Sequence, residues 1–183
     1  MDCDLSLAYQ PACFVVKPAA QAWERRDALA LRRQVFCVEQ GLFGGADGDD
    51  RDALDAQADL LVAIAQVAGM PDRVVGTVRI HAQTGRTWFG SRLAVEPELR
   101  RHRGLGTGLI TLAVRLAHTQ GAGVFLAHVQ AQNVPLFERL HWHTLEQVTL
   151  QDRPHAFMRA DLAHYPPLAR PQQGLLVINR QAA

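Results

Sequence analysis

Residues 92–110, which read RLAVEPELRRHRGLGTGLI, constrain the fold of this chain more than any other stretch. An apolar strand end, Leu93-Ala94-Val95, runs into a turn rich in arginine and glycine, and the turn leads into an amphipathic helix. The turn holds glycines at positions 104, 106 and 108 and arginines at positions 100, 101 and 103. Glycine lets the backbone approach a ligand closely, and the unpaired N–H groups at a helix start attract anions. The stretch therefore predicts a site for a phosphate or pyrophosphate group between a strand and a helix.

Composition limits the class of protein. The 183 residues suit one domain, and a hydrophobic fraction of 48% is ample for a core. Nineteen Lys and Arg against eighteen Asp and Glu give a net charge of +1, which does not support a nucleic-acid or membrane partner. The three cysteines form no CxxC pair, and the acidic N-terminus lacks the apolar run of a signal peptide. We therefore expect a soluble, cytoplasmic protein without a metal site.

The first third of the chain predicts a strand, a helix and a long loop. An apolar run at 13–16 is typical of an edge strand. Residues 21–38 predict a helix that ends at Gly41. Its buried stripe consists of Ala28, Leu31, Val35 and Val38. Residues 41–58 contain four glycines and five aspartates, so we expect a solvated loop, or an acidic lip that attracts a cationic amine.

The middle of the chain predicts a β-hairpin and a third strand. Strands at 59–67 and 73–81 are joined by a turn at 69–71, and a strand at 87–95 leads into the anion-binding turn. Alternation along the second strand places four residues on one face, namely Val74, Gly76, Val78 and Ile80. Arg79 and His81 then share the opposite face, where His81 could line an acceptor pocket.

The second half predicts one parallel crossover. The helix after the turn has an apolar face made of Leu105, Leu109, Leu112, Ala113, Leu116 and Ala117. Because the strand at 124–129 follows a strand and a helix, it should pair in parallel with its predecessor. A short helix opened by Pro135 and strands at 144–150 and 156–162 complete a domain at 1–164. Residues 165–183 form a proline-containing tail that could complete the fold, link to a further domain or pair with a second copy in a homodimer.

These elements define an α+β class with a mixed, mostly antiparallel sheet and a central parallel strand-helix-strand unit. A full dinucleotide-binding fold is disfavoured because the glycine spacing at 104, 106 and 108 is not GxGxxG. A nucleoside triphosphate loop is disfavoured because no GK[ST] follows the glycines.

The motifs, in this order, resemble the GNAT (GCN5-related N-acetyltransferase) superfamily. R-x-x-G-x-G at Arg101, Gly104 and Gly106, between a strand that ends LAV and a helix, resembles the family's acyl-CoA motif. The run QAQNVPLFERLHW, which begins at Gln130, is similar to the second family signature, N-x-x-A-x-x-x-Y-x-x-x-G-F. The head RRQVFCVEQG, followed by aspartates at 49 and 52 and by Arg92, resembles a branch that reads R-x-x-V-F-x-x-E-Q.

The resemblance implies a V-shaped splay between the two parallel strands, in which acetyl-CoA binds as cosubstrate. The backbone of Leu93, Ala94 and Val95 would pair with the pantetheine arm as a strand does, and Gln130 would hold the arm from the other strand. The N–H of Val95 would stabilise the oxyanion. The residues that would hold the pyrophosphate are Arg101, Arg103, Gly104, Leu105, Gly106 and Thr107.

Departures from the family pattern leave the acid and base open. The tyrosine that often protonates the thiolate in the family is Phe137 here, and the family glycine is His141. The run at 97–104 is also one residue longer than usual. His128, at the end of the parallel strand, is the best substitute by position, although a structural strand histidine is equally compatible. Glu39 could deprotonate the amine or bind its cation, or it could be a surface carboxylate at a helix end.

The sequence thus predicts an acyl-CoA-dependent N-acyltransferase that transfers acetyl directly to a primary amine of a small molecule. The nearest enzyme alternative is an acyl-homoserine-lactone synthase, but the complete R-x-x-G-x-G favours CoA over an acyl-carrier protein. A non-catalytic CoA-binding module is the other alternative, because Phe137 has no proton to give.

Overall fold

Eight strands form one mixed sheet in the computed structural model, which describes residues 11–102 and 104–178. The strands are β1 Cys13–Pro18, β2 Asp59–Val67, β3 Met70–Ala82, β4 Thr87–Val95, β5 Val124–Gln130, β6 Trp142–Leu150, β7 Arg153–Ala160 and β8 Leu175–Ile178. Their order across the sheet is β6-β7-β5-β4-β3-β2-β1-β8. β4 and β5 are parallel, and the other neighbouring pairs are antiparallel. The predicted α+β class with one parallel unit is confirmed.

Helices cover both faces of this sheet. They are α1 Ala22–Arg33, α2 Leu105–Thr119 and the short α3 Val134–Arg139. Alternate residues of β2 explain the two layers: Leu61 and Ala63 belong to the core under α2, whereas Leu60 and Val62 pack under α1. A strand buried on both faces is continuously apolar, as β2 is from Leu60 to Ala65. No helix within the described residues is both long and apolar enough to cross a membrane.

A π-helical turn, Gln34–Glu39, continues α1 and changes which residues are buried. A π turn holds more residues than an α turn, so the side-chain positions rotate relative to the preceding helix. Val35, Phe36 and Cys37 are consequently buried in a row, while Val38 is 42% exposed. The prediction that Val38 belongs to the buried stripe is therefore wrong. Gly41, with φ +67°, follows the turn at the predicted helix end.

Register shifts interrupt the alternation of β3. Val74 packs in the cluster under α1, whereas Val78 and Ile80 pack under α2. The shifts lie where β2 pairs with this part of β3, and an extra residue in one strand reverses the facing of its successors. The prediction that Val74 shares a face with Val78 and Ile80 is therefore wrong. Arg79 and His81 do line the same cleft.

The C-terminal segment adds β8 to the sheet. β8 pairs antiparallel with β1, where Val177 lies opposite Phe14. Because β1 lies between β2 and β8, the prediction of an edge strand at 13–16 is wrong. Tyr165, ahead of β8, is buried, and its hydroxyl donates a hydrogen bond to the carbonyl of Leu140.

Candidate active site

A cleft of about 800 Å³ opens where β4 and β5 separate. Residues 87–90 of β4 pair with 124–127 of β5, and the pairing stops there. Beyond that point β4 stays with β3 and β5 stays with β7, so the two parallel strands diverge. The predicted V-shaped splay is confirmed, and the facing backbone edges can pair with an extended ligand.

The diverging end of β4 forms one wall of the cleft. Its lining residues include Leu93, Ala94 and Val95. The carbonyl of Val95 accepts a hydrogen bond from Arg100 Nε at 3.1 Å, whereas the N–H of Glu96 donates to β3 at 2.9 Å. Because successive residues of a strand direct their backbone groups to opposite sides, the N–H of Val95 points away from β3 and into the cleft.

The three glycines of the turn and helix start have different surroundings. A Cβ at Gly104 would lie 2.7 Å from Val177 Cγ1, and one at Gly108 would lie 2.9 Å from Val177 Cγ2. A Cβ at Gly106 would meet only Leu136 Cδ2, at 3.9 Å, and Gly106 lines the cleft. Gly104 and Gly108 therefore make room for β8, and Gly106 leaves room for a ligand.

The other residues predicted to hold a pyrophosphate lie around the same turn. Arg101 is exposed, and no ion pair joins it to another described residue. Leu105 is fully buried, so only its backbone is near the site, and Thr107 is half-buried in the first turn of α2. Arg103 lies outside the described residues. The N–H groups at the start of a helix have no acceptor within the helix, which suits an anion. In this chain the N–H of Leu105 donates to the carbonyl of His102 at 3.2 Å.

A chain of glutamines connects β5 with the end of the π turn. Gln130 Nε2 donates to Gln40 Oε1 at 2.9 Å, and Gln132 Nε2 donates to Gln130 Oε1 at 2.7 Å. The carbonyl of Gln40 also accepts a hydrogen bond from Arg153 of β7 at 2.5 Å. Gln130 lines the cleft, but its side-chain amide is engaged, so a ligand that needed this amide would displace Gln40 or Gln132.

Four rings supplied by β3, β4, β5 and β7 contact one another and form what we call the aromatic row: His81, Phe89, His128 and Phe157. The ring centroids of His81 and Phe89 are 6.0 Å apart. Phe89, His128 and Phe157 form a triangle with centroid distances of 6.5, 4.8 and 6.3 Å, and the planes of contacting rings are within 28° of parallel. Sheet register places His81 opposite Phe89 and His128 opposite Phe157. His81, Phe89 and His128 line the cleft that also contains the end of β4.

Both histidines of the aromatic row have lowered pKa values. Phe89 and Phe157 flank the ring of His128, and this partial burial lowers the pKa of His128 below its ordinary value of 6.5, as does the nearby His155. For His81, partial burial lowers the pKa, and the charge of Arg79 adds to the effect. Both rings are therefore mainly neutral at neutral pH. His128 keeps an exposed edge, so it can accept a proton from a group in the cleft.

Glu39, the other predicted catalytic residue, pairs with an arginine and does not line the cleft. Arg100 Nη2 donates to Glu39 Oε2 at 2.6 Å, and Nη1 donates to Oε1. This hydrogen bond lowers the pKa of Glu39 below its ordinary value of 4.5. A carboxylate held in this way is a weak base, so the geometry does not favour a base role for Glu39 and instead links the π turn to the turn before α2.

Arginine side chains form ion pairs with most aspartates of the loop at 41–58. An ion-pair network joins Arg32, Arg79 and Arg92 to Asp50, Asp52 and Asp55. Arg32 lies 2.7 Å from Asp50 and 2.6 Å from Asp55, and the side chains of Arg32 and Asp50 are fully buried. The prediction of a solvated loop is wrong for Asp50, which is buried. Asp52 and Asp55 keep exposed surface, but arginines beneath the loop hold their carboxylates.

The sequence does not predict the contacts of Arg32, Phe89 and Gln40, although Arg32 and Gln40 are the first and last residues of the R-x-x-V-F-x-x-E-Q head. Ala28 and Arg32 are four residues apart and so share one helix face, and five aspartates in the following loop offer partners for a buried guanidinium. Phe89 belongs to no motif, and the head motif does not reveal the partner of Gln40, because both contacts depend on strands distant in the sequence.

The second signature also differs from the family pattern in a way that the structure explains. Phe137 is buried, lines the cleft and packs edge-on against Trp142, with ring centroids 5.0 Å apart. His141 adopts φ +61°, a left-handed conformation that glycine adopts at lower cost. Within the described ranges, no three His, Cys, Asp or Glu side chains are arranged to hold a metal ion.

Comparison with known proteins gives a family match over this region. The profile described as the acetyltransferase (GNAT) family matches residues 23–142, more than half of the chain. No curated protein sequence matches the chain.

Solved structures share the fold. A candidate N-acetyltransferase from Lactobacillus plantarum has a TM-score of 0.68 and 23% identity, over 80% of this chain and 97% of that protein. An acyl-CoA N-acyltransferase from Pseudomonas aeruginosa has a TM-score of 0.63 and 21% identity, over 81% of this chain and 99% of that protein. A chain of the NatC complex bound to Gag peptide and CoA has a TM-score of 0.61 and 15% identity, over 81% of this chain and 98% of that chain.

Proposed function

The chain belongs to the GNAT acetyltransferase family and is an acyltransferase, and we propose that it transfers acetyl from acetyl-CoA directly to the primary amine of a small molecule. The observation that carries this proposal is the continuous cleft from Gly106, at the start of α2, past the end of β4 to His128 on β5. It joins an anion-binding helix start to a neutral proton acceptor.

The residues of the cleft fit an acyl-CoA. Gly106 has open space where a side chain would begin, so a phosphate can approach the backbone. Arg101 and the backbone at Gly104 and Gly106 would hold the pyrophosphate, and Leu93, Ala94 and Val95 would hold the pantetheine arm by strand-like pairing. The N–H of Val95 would donate to the carbonyl oxygen of the acyl group.

We assign the proton transfers to His128. Acetyl-CoA supplies an activated thioester, so the C–N bond of the amide forms as the C–S bond breaks. His128 accepts the proton that the attacking nitrogen releases and returns it to the departing sulfur, which needs no oxidant or further reactant. This role replaces the tyrosine of the family, since Phe137 lines the cleft without a hydroxyl.

Thiol release tests the proposal. Purified protein with acetyl-CoA should release free CoA thiol only when a primary amine is present, and the amine should gain an acetyl group by mass spectrometry. Tight binding of CoA without turnover on any amine would favour the non-catalytic module instead. Transfer from an acyl-carrier protein but not from acetyl-CoA would favour the homoserine-lactone-synthase alternative.

Gly106→Ala should weaken CoA binding without weakening the fold. The new methyl group meets only Leu136, at 3.9 Å, but it stands where the phosphate would approach the backbone. By calorimetry we expect the dissociation constant of CoA to rise by about tenfold or more, a loss of about 1.4 kcal/mol. The melting temperature should not fall, because alanine favours helix by about 0.5–1 kcal/mol over glycine.

Gly108→Ala is the matched control. Its methyl group would lie 2.9 Å from Val177 Cγ2, so the melting temperature should fall while CoA binding by the folded protein changes less than in Gly106→Ala. Unchanged CoA affinity in Gly106→Ala would contradict the assignment of this turn to the pyrophosphate.

A further inference from the structure

The aromatic row offers a surface of stacked apolar rings at the amine end of the cleft. The planes of contacting rings are within 28° of parallel, and His81, Phe89 and His128 line the cleft. The rings are supplied by four successive strands, so the surface is as rigid as the sheet that carries it. Planar rings gain from stacking or edge contacts with other rings beyond the area that they bury.

The charges around the cleft do not favour a polycationic amine. None of the described residues that line the cleft is an aspartate or glutamate. Arg79, Arg92 and Arg100 line the cleft, and each forms an ion pair with a carboxylate. The residues that carry these carboxylates do not line the cleft. A second ammonium group in the cleft would therefore lose water without gaining a carboxylate partner.

We infer that the acceptor is an arylalkylamine, whose ring stacks on the aromatic row and whose amino group reaches His128. This inference rests on the proposed N-acyltransferase activity and names the substrate class of the same site. The ring fixes the amine beside the imidazole that takes its proton, so binding of the ring and positioning of the nitrogen occur together.

Three probe amines test the ring preference: 2-phenylethylamine, 2-cyclohexylethylamine and 1,4-diaminobutane. At saturating acetyl-CoA, we expect kcat/KM for 2-phenylethylamine to exceed that for 1,4-diaminobutane by about tenfold or more. The cyclohexyl compound has similar bulk but no aromatic face, so its kcat/KM should lie between the two. A preference for 1,4-diaminobutane would overturn the inference.

Phe89→Leu and Phe157→Leu separate ring recognition from general support of the strand. Phe89 lines the cleft, so its replacement should reduce the phenyl-to-cyclohexyl ratio of kcat/KM toward one. Phe157 stacks on His128 at 4.8 Å but does not line the cleft, so its replacement should change all three amines by the same factor. A phenyl-to-cyclohexyl ratio that survives Phe89→Leu would contradict the inference.

Equilibrium binding distinguishes a failure of the inference from a failure of the proposed function. If no amine releases thiol, the activity fails, and calorimetry of the CoA-treated protein with the same three amines decides the ring preference. Tighter binding of 2-phenylethylamine that weakens in Phe89→Leu would support the inference; equal or tighter binding of 1,4-diaminobutane would overturn it.

Discussion

His128→Gln should lower kcat by about 100-fold or more, the usual cost of losing a general acid or base. Glutamine retains hydrogen-bonding capacity and similar bulk but cannot accept and return a proton near neutral pH. The dissociation constant of CoA should stay within about twofold of wild type, because the donor side of the cleft is built from β4 and α2. Steady-state kinetics and calorimetry measure the two effects separately.

The pH dependence of kcat gives this prediction a second measurement. A base works in its neutral form, and partial burial and His155 hold the pKa of His128 below 6.5. The fraction of neutral His128 rises as pH increases through that pKa, so wild-type kcat should fall on the acid side and level off above it. His155, on β7, contributes to the lowered pKa of His128, so His155→Gln should keep the acid limb and move its midpoint to higher pH.

His143→Gln is the matched control for His128→Gln. His143 is also a strand histidine, on β6, but it does not line the cleft, so kcat and its pH profile should stay close to wild type. A His128→Gln enzyme with the wild-type acid limb would remove His128 from the proton transfers.

Asp50→Asn should destabilise the fold by about 3 kcal/mol or more, because it removes the negative charge from a buried pair. Asp50 Oδ2 lies 2.7 Å from Arg32 and 3.1 Å from Arg92, and the side chains of Arg32 and Asp50 are fully buried. Arg32 keeps Asp55 as a partner, which holds the loss near the lower end of the range for broken buried pairs. Denaturant unfolding measures the free-energy change.

Asp49→Asn is the neighbouring control. Asp49 pairs with Arg51 on the surface, and both side chains are well exposed, so the free energy of unfolding should stay at the wild-type value within error. If Asp49→Asn and Asp50→Asn lowered the free energy of unfolding equally, the buried ion pair would not be the cause of the loss.

The ion-pair network should also make the fold sensitive to acid. The hydrogen bond from Arg79 lowers the pKa of Asp52 below its ordinary value of 3.8. A carboxylate with a lowered folded-state pKa contributes stability above its unfolded pKa, and that contribution is lost as pH falls through the folded pKa. The free energy of unfolding should therefore decrease as the pH is lowered below about 4. In Asp52→Asn this free energy should decrease less steeply with falling pH.

Features with local causes could be predicted from the sequence. The period of Leu105, Leu109 and Leu112 identifies α2, and the strand-helix-strand order identifies the parallel pair. The splay between the two strands follows from the family resemblance of the motifs. Gly106 could be placed in the cleft because a motif fixes its neighbours. Each of these depends on residues close together in the chain.

Features with distant causes could not be predicted. Gly104 is small because Val177 packs against it, and the two residues meet only through the pairing of β8 with β1. The aromatic row requires the register of four strands, and its members carry no shared motif. Val38 is exposed because a π turn, which the apolar spacing does not reveal, follows α1.

The central claim, that acyl-CoA occupies the space between the diverging β4 and β5, is tested most directly by a crystal structure of the protein with CoA. We expect the pyrophosphate at the start of α2 beside Gly106, the pantetheine arm along residues 93–95, and the sulfur facing His128. CoA bound elsewhere, or an empty cleft at saturating CoA, would contradict the claim.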